Sequence, residues 1–204
     1  MVQNPARPRG RPRGYDPGTA LRQALETFWS GGYSATSLDE LAAATGMNRP
    51  SLYGAFGDKK TLYLKALGHY RAAGRAAMDE ALTGNRPLRE ELSRLYEKAL
   101  AIYFSGEGAA RGCFLIGTAT SEAVENPDVR SALGDALREF DAAFEARLRL
   151  AREQGELSPE ADPIALARIA SAILHTLALR SRAGDPKATL EATAAAGVDL
   201  ICRA

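Results

Sequence analysis

Along most of this chain, apolar residues recur at intervals of three and four, the period of a helix that buries one face. After Asp16-Pro17 the stripe is Leu21, Ala24, Leu25 and Phe28, which predicts a helix ending near Gly31-Gly32. After Asn126-Pro127 it is Val129, Leu133, Leu137, Phe140, Phe144, Leu148 and Ala151, a long helix stopping at Gly155. After Asp162-Pro163 it is Leu166, Ile169, Ala170, Ile173, Leu174 and Leu177, ending near Gly184. After Asp185-Pro186 it is Leu190, Ala194, Val198 and Ile201. In all four pairs an N-capping side chain precedes a proline at the expected first helical position, where the missing N–H has no helical partner to lose.

Shorter segments follow the same logic. Ser37-Leu38-Asp39-Glu40 fits a capping box opening a helix through Leu41 and Ala44. Asn48 can cap a short helix from Arg49 to Phe56, with Pro50 in its first turn. Asp58 can cap another from Lys59 to about Leu82, and Pro87 opens one carrying Leu88, Leu92, Leu95, Leu100 and Ile102. A glycine-rich loop, 105–112, then leads into Cys113-Phe114-Leu115-Ile116. The pattern predicts an all-α fold of about nine helices with no strand. Abundant alanine and sparse Val, Ile and Thr agree with it.

The segment SLDELAAATGMNRPSLYGAF, 37–56, has the spacing of a helix-turn-helix. A capped helix ends at Thr45, Gly46 allows a left-handed turn, and a second helix begins after Asn48. Leu41, Ala42, Met47 and Leu52 are spaced to pack the pair, with the stripe Leu21, Leu25 and Phe28 as a floor. An ordinary αα-corner has the same spacing. Arg49 and Ser51 at the start of the second helix favour DNA, because a guanidinium there can contact guanine through two hydrogen bonds. Tyr53 follows one turn on. Lys59 opens the next helix, where an ammonium and free N–H groups can hold a phosphate. Ahead of these helices, Arg7, Arg9, Arg11 and Arg13 alternate with Pro and Gly and no acid. Such an arm suits an A·T-rich minor groove, which makes Arg9, Arg11 and Arg13 candidate contacts. The alternative is a solubilising tail.

Residues 15 to 67 resemble the DNA-binding domain of the tetracycline-repressor (TetR) family of bacterial transcription regulators. The resemblance rests on Ala24-Leu25-x-x-Phe28, Gly32-Tyr33, Thr36-Ser37-Leu38, Leu41-Ala42, Thr45-Gly46-Met47-Asn48, Ser51-Leu52-Tyr53, Phe56 and Asp58-Lys59-Lys60-x-Leu62. It implies a homodimer with a C-terminal ligand-binding and dimerisation domain, and DNA contacts from Thr36, Ser37, Asn48, Arg49, Ser51, Tyr53 and Lys59. The chain departs from the pattern at Gly54-Ala55-Phe56, where many relatives have Tyr-His-Phe, and at Pro50, where a small or polar residue is common. The expected division is a basic arm over 1–14, a helix-turn-helix domain over 15–60, and a sensor and dimerisation domain over 61–204.

The second half is similar to the family more loosely, through Gly155-Glu156-Leu157, the Asp162-Pro163 start and the two final helices. In the family those helices form a four-helix bundle across the dimer axis. Here Ala165, Ala172, Ala178, Ala192, Ala195 and Gly197 suit a close approach of that kind, or equally a monomer's own core. Tyr96, Tyr103, Phe104, Phe114, Phe140, Phe144 and His175 fall on central helices and are candidates to line an effector pocket; the alternative is a set of core aromatics. Cys113 follows Arg111-Gly112 at an expected helix start, where the dipole and a guanidinium would lower a thiol pKa. Some relatives with a similar Gly-Cys respond to electrophiles or oxidants. A buried, inert cysteine is the alternative.

Composition then removes other classes. The chain has 204 residues, 46% of them hydrophobic, enough for a substantial core. No run of about 18 apolar residues suggests a membrane span, and the N-terminal arginines precede no apolar leader. Cys113 and Cys202 give no disulfide framework, so a reducing cytoplasm is the expected compartment. With His69 and His175 they show no metal-ligand spacing, and no cofactor or catalytic motif is present, so neither an enzyme nor a metal or cofactor site is expected. The net charge of +1 is a sum over unlike parts: residues 1–60 carry eight basic and five acidic side chains, and 61–204 carry eighteen and twenty. A helical adaptor that binds protein would leave the basic arm and Lys59 without a role. The expected partners are a duplex operator, a small-molecule effector and a second copy met through the last two helices, with no membrane.

Overall fold

The computed structural model describes residues 15–106 and 108–204, so Arg9, Arg11 and Arg13 lie outside the described residues. Nine α-helices follow one another, with no strand among the described residues. They are α1 (Pro17–Gly31), α2 (Leu38–Thr45), α3 (Arg49–Phe56), α4 (Lys59–Ala81), α5 (Leu88–Tyr103), the single turn α6 (Thr120–Glu122), α7 (Pro127–Glu153), α8 (Pro163–Arg182) and α9 (Lys187–Ile201). Six starts are capped by side chains: Asp16, Ser37, Asn48, Asp58, Asn126 and Asp162 each accept a first-turn N–H.

Two local expectations fail. Pro186 is itself the N-cap of α9 and Asp185 does not cap; its carboxylate takes the Arg180 guanidinium at 3.0 Å instead. The stretch after Cys113 is not an ordinary helix start but a π-helical turn, Leu115–Ala119, running into α6. A π turn has one more residue per hydrogen-bonded ring than an α turn, so period-3.6 reasoning does not find it. The hydropathy expectation also needs correction, since α8 is long and apolar enough by composition to cross a bilayer. Here α8 packs against α5, α7 and α9, and Leu166, Ala170, Leu174 and Leu177 are buried there.

α1 rests on α2 and on the first turns of α4, with Phe28, Leu41, Leu52, Leu62 and Tyr63 forming their shared core. α4 continues past this small domain and packs along α7 and α5. The expected boundary after residue 60 therefore falls in the first turn of a helix that both halves use. Far from the small domain, Arg147 is almost wholly buried on α7. It donates to the carboxylates of Glu91 and Glu156 and to the Arg86 carbonyl, and those carboxylates also accept the Gly84 and Leu88 N–H groups. One buried cation thus closes the α4–α5 loop onto α7.

Candidate DNA-binding surface and effector cavity

The turn between α2 and α3 depends on Gly46, which sits at φ 64°, a conformation costly for any residue with a Cβ. Its geometry drops Met47 into the core and starts α3 with Asn48 as the cap. Leu52 and Phe56 point inward, leaving Arg49 and Tyr53 on the opposite, exposed side.

The expected DNA contacts divide on inspection. Ser37, Asn48, Arg49 and Tyr53 are exposed at the two helix starts, and Ser51 is half-buried. Ser37 and Asn48 also act as caps: Ser37 exchanges bonds with Glu40, and Asn48 Oδ1 accepts the Ser51 N–H at 2.9 Å. Thr36 is not on the surface. It is 3% exposed and donates its hydroxyl to the Gly32 carbonyl at 2.6 Å, closing the α1–α2 connection. Lys59 lies with Nζ 4.5 Å from the Tyr33 ring centroid and 3.5 Å from the Ser34 carbonyl. Arg49 has a partner that its spacing did not suggest. Its Nε and Nη2 donate to the two oxygens of Asp39 on α2, at 2.7 and 2.5 Å. That pair holds the Asp39 carboxyl below its usual pKa.

Between α4, α5, α7 and α8 lies an apolar cavity of about 90 Å³. Of the eight expected pocket residues, Tyr103, Cys113, Phe140 and His175 line it, together with Tyr70, Gly74, Met78 and Leu174. The other four do not. Tyr96 is buried with its hydroxyl donating to the Ala170 carbonyl, and Phe144 packs beside it. Phe114 stands among Trp29, Tyr63 and Tyr70, and Phe104 closes the end of α5. Aromatic identity does not distinguish a pocket wall from a core, and Tyr70, an aromatic wall residue outside the expected set, shares its helix face with Gly74 and Met78.

Cys113 is buried, and desolvation pushes its thiol up, although the Tyr70 hydroxyl donates to Sγ at 3.4 Å and the Leu115 and Ile116 N–H groups pull the other way. The expected lowering is thus overturned. Arg111, the guanidinium expected to assist, instead stacks on Trp29 at 3.4 Å and pairs with Glu26 at 2.8 Å. Burial likewise lowers the His175 pKa, and its Nε2 has no partner among the described residues.

The small domain is tied to the larger helical part at several points. Trp29 Nε1 donates to the Arg111 carbonyl at 3.2 Å. Thr118, in the π turn, donates to the Phe114 carbonyl and accepts the Tyr63 hydroxyl at 2.7 Å; burial pushes that phenol up to about 12. Ser34 and Lys60 bond to Glu122 and Asp128.

A helix-turn-helix with its second helix exposed, braced by a long shared helix against a helical domain with a cavity, defines a DNA-binding regulator of the two-domain type. Comparison with known proteins gives the family. Residues 20–66 match the profile of bacterial regulatory proteins of the tetR family, and residues 87–196 that of the tetracyclin repressor-like C-terminal domain. The HTH-type transcriptional repressor ComR of Escherichia coli is 30% identical over 176 residues, covering 86% of this chain and 84% of its own. A cysteine-substituted variant of the TetR family transcriptional regulator CifR, complexed with 26-bp double-strand operator DNA, is 32% identical. It superposes with a TM-score of 0.80 over 93% of this chain and 98% of its own. Escherichia coli NemR in its reduced form, 22% identical with a TM-score of 0.79 over 89% of this chain and 94% of its own, shares the fold. The chain belongs to the TetR family of bacterial transcription regulators; it binds DNA and is not an enzyme.

Proposed function

We propose that this protein is a dimeric repressor that leaves a palindromic operator when a small, largely apolar molecule enters the cavity between α4, α5, α7 and α8. The observation that carries this reading is α4 itself. One unbroken helix of 23 residues begins at Lys59, beside the helix-turn-helix, and supplies Tyr70, Gly74 and Met78 to the cavity. A rigid rod of this kind transmits any displacement at one end to the other. The cavity is smaller than the roughly 300 Å³ or more of ordinary ligand pockets. An effector of common size that seats fully between these helices pushes α4 away from its neighbours, which supplies the differential affinity a population shift requires.

In this reading Arg49 reads a base and Ser37, Asn48, Tyr53 and Lys59 hold the backbone. Exposed Ile164, Ile169, Leu179 and Leu200 on α8 and α9, with Ala165, Ala172, Ala192 and Ala195 also outside, supply a face for a second copy. Ala178 and Gly197 are buried and belong to the protomer's own packing. A two-fold dimer presents two α3 helices to half-sites about one helical turn apart.

A leucine at Gly74 tests the cavity. The added side chain starts 3.6 Å from the Phe140 ring and extends into the space, while a helix interior gains from losing a glycine. Gly74→Leu is expected to bind operator as the parent does and to lose effector-induced release, measured by fluorescence anisotropy of labelled duplex against small apolar compounds. Release equal to the parent's would place the effector elsewhere. A second reading rests on Cys113 opening on the same cavity: an electrophile bound there meets a thiol. In the same titration with reactive aldehydes, Cys113→Ser then loses release; an unchanged response dismisses the covalent route.

A further inference from the structure

The exposed face that carries Arg49 also carries a carboxylate, and phosphate attraction does not explain it. Asp39 is 72% exposed on α2 and Arg49 55% exposed on α3, so the pair joins two short helices at the surface. An ion pair this exposed adds little to stability. A carboxylate facing DNA also repels phosphate. What the contact does achieve is orientation. The bonds from Nε and Nη2 use one edge of the guanidinium, both oxygens of Asp39 being engaged. Nη1 and the outer hydrogen of Nη2 have no partner among the described residues, and they form the adjoining edge of the same plane. That edge is a two-donor fork of the width that meets guanine O6 and N7.

The side chain would otherwise be hard to place. Arg49 is the first residue of α3, followed by Pro50, and no residue of its own helix donates to or accepts from its guanidinium. An arginine side chain has many rotamers to lose on binding, and fixing it beforehand raises both affinity and selectivity. A bidentate partner on a neighbouring element fixes two directions at once.

We infer that Asp39 is a positioning residue for sequence recognition, holding the Arg49 guanidinium so that its free edge reads a guanine in each operator half-site. This rests on the reading of Arg49 as the base contact. Ser37 and Glu40, which cap α2 through their own reciprocal bonds, are independent of it. Asp39→Asn therefore leaves the helix start intact while removing the charge and one of the two acceptors.

The test is affinity selection from random-sequence duplex with the full chain, its Asp39→Asn and Arg49→Ala variants and the double variant, each also titrated on unselected DNA. The parent is expected to select guanine at one symmetry-related pair of positions, and Arg49→Ala to lose that preference alone. Asp39→Asn is expected to reduce the same preference roughly fivefold or more, while binding unselected DNA as tightly as the parent or more tightly. In the Arg49→Ala background it should change no base preference. If Asp39→Asn keeps the guanine preference whole, whatever it does to affinity, Asp39 does not position the reader. If Arg49→Ala leaves every preference unchanged, the assignment of Arg49 fails first and the inference with it. A circular-dichroism melt of each variant confirms that the fold is common to all four.

Discussion

At the scale of single residues, what a side chain does here follows from neighbours the sequence places far away. Capping residues are the exception, because Ser37, Asn48 and Asp58 act on N–H groups within three positions, and all three were legible. Arg49 was legible as an exposed cation but not as the partner of Asp39, since only the turn at Gly46 fixes which residues of α2 and α3 meet. Cys113 shows the same limit more sharply. Its helix-start donors are present, yet burial outweighs them, and burial depends on α4 and α8 closing over it. His175 permits a prediction. Burial lowers its pKa and the Asp141 charge offsets only part of that, so the folded protein takes up its proton at lower pH than the unfolded chain does. As pH falls through about 6.5 the unfolded state binds that proton first. The His175 contribution is therefore complete above that value and is lost as the pH drops toward the folded pKa. Thermal melts of the parent should show Tm falling between pH 6.5 and 5.5, and a His175→Asn variant should lose most of that slope. Equal slopes would show that the imidazole is not what titrates.

Among elements, helix existence and limits were the most readable feature, because apolar period, caps and glycine stops all act locally. The misses share a cause. The π turn after Cys113 is held by packing: Phe114, Leu115, Thr118 and Ala119 are all buried, and Thr118 meets Tyr63 of α4. A tertiary contact selects the wider turn there, and no local signal announces it. Gly112 makes the approach possible. It sits at φ 64°, and a Cβ there would lie 2.6 Å from the Ala178 carbonyl oxygen on α8. Gly112→Ala should therefore lose about 1–3 kcal/mol in urea unfolding. Gly155→Ala, at φ 75° with nothing within 4 Å, should lose less, about 1 kcal/mol. Similar losses at the two sites would mean that backbone conformation alone, and not the approach to α8, sets the demand at Gly112.

For the whole molecule, the helix-turn-helix end and the helical character of the rest are legible in motif and apolar period, while the contacts between the two are not. Those contacts join distant stretches: Trp29 to the Arg111 carbonyl, Tyr63 to Thr118, and the long body of α4 to both parts. The buried Arg147 was also unreadable, because a cation on an otherwise apolar face of α7 looks like an exposed one until Glu91 and Glu156 arrive from other parts of the chain. Together these contacts brace the helix-turn-helix against the larger helical part. In the proposed dimer, two copies of α3 read one symmetric site. The most direct measurement is the sequence that the full chain enriches from random duplex DNA. The expected result is a palindrome with guanine at equivalent places in two half-sites about one helical turn apart. Enrichment of a single asymmetric site, or of no sequence at all while binding still falls with salt, would contradict it.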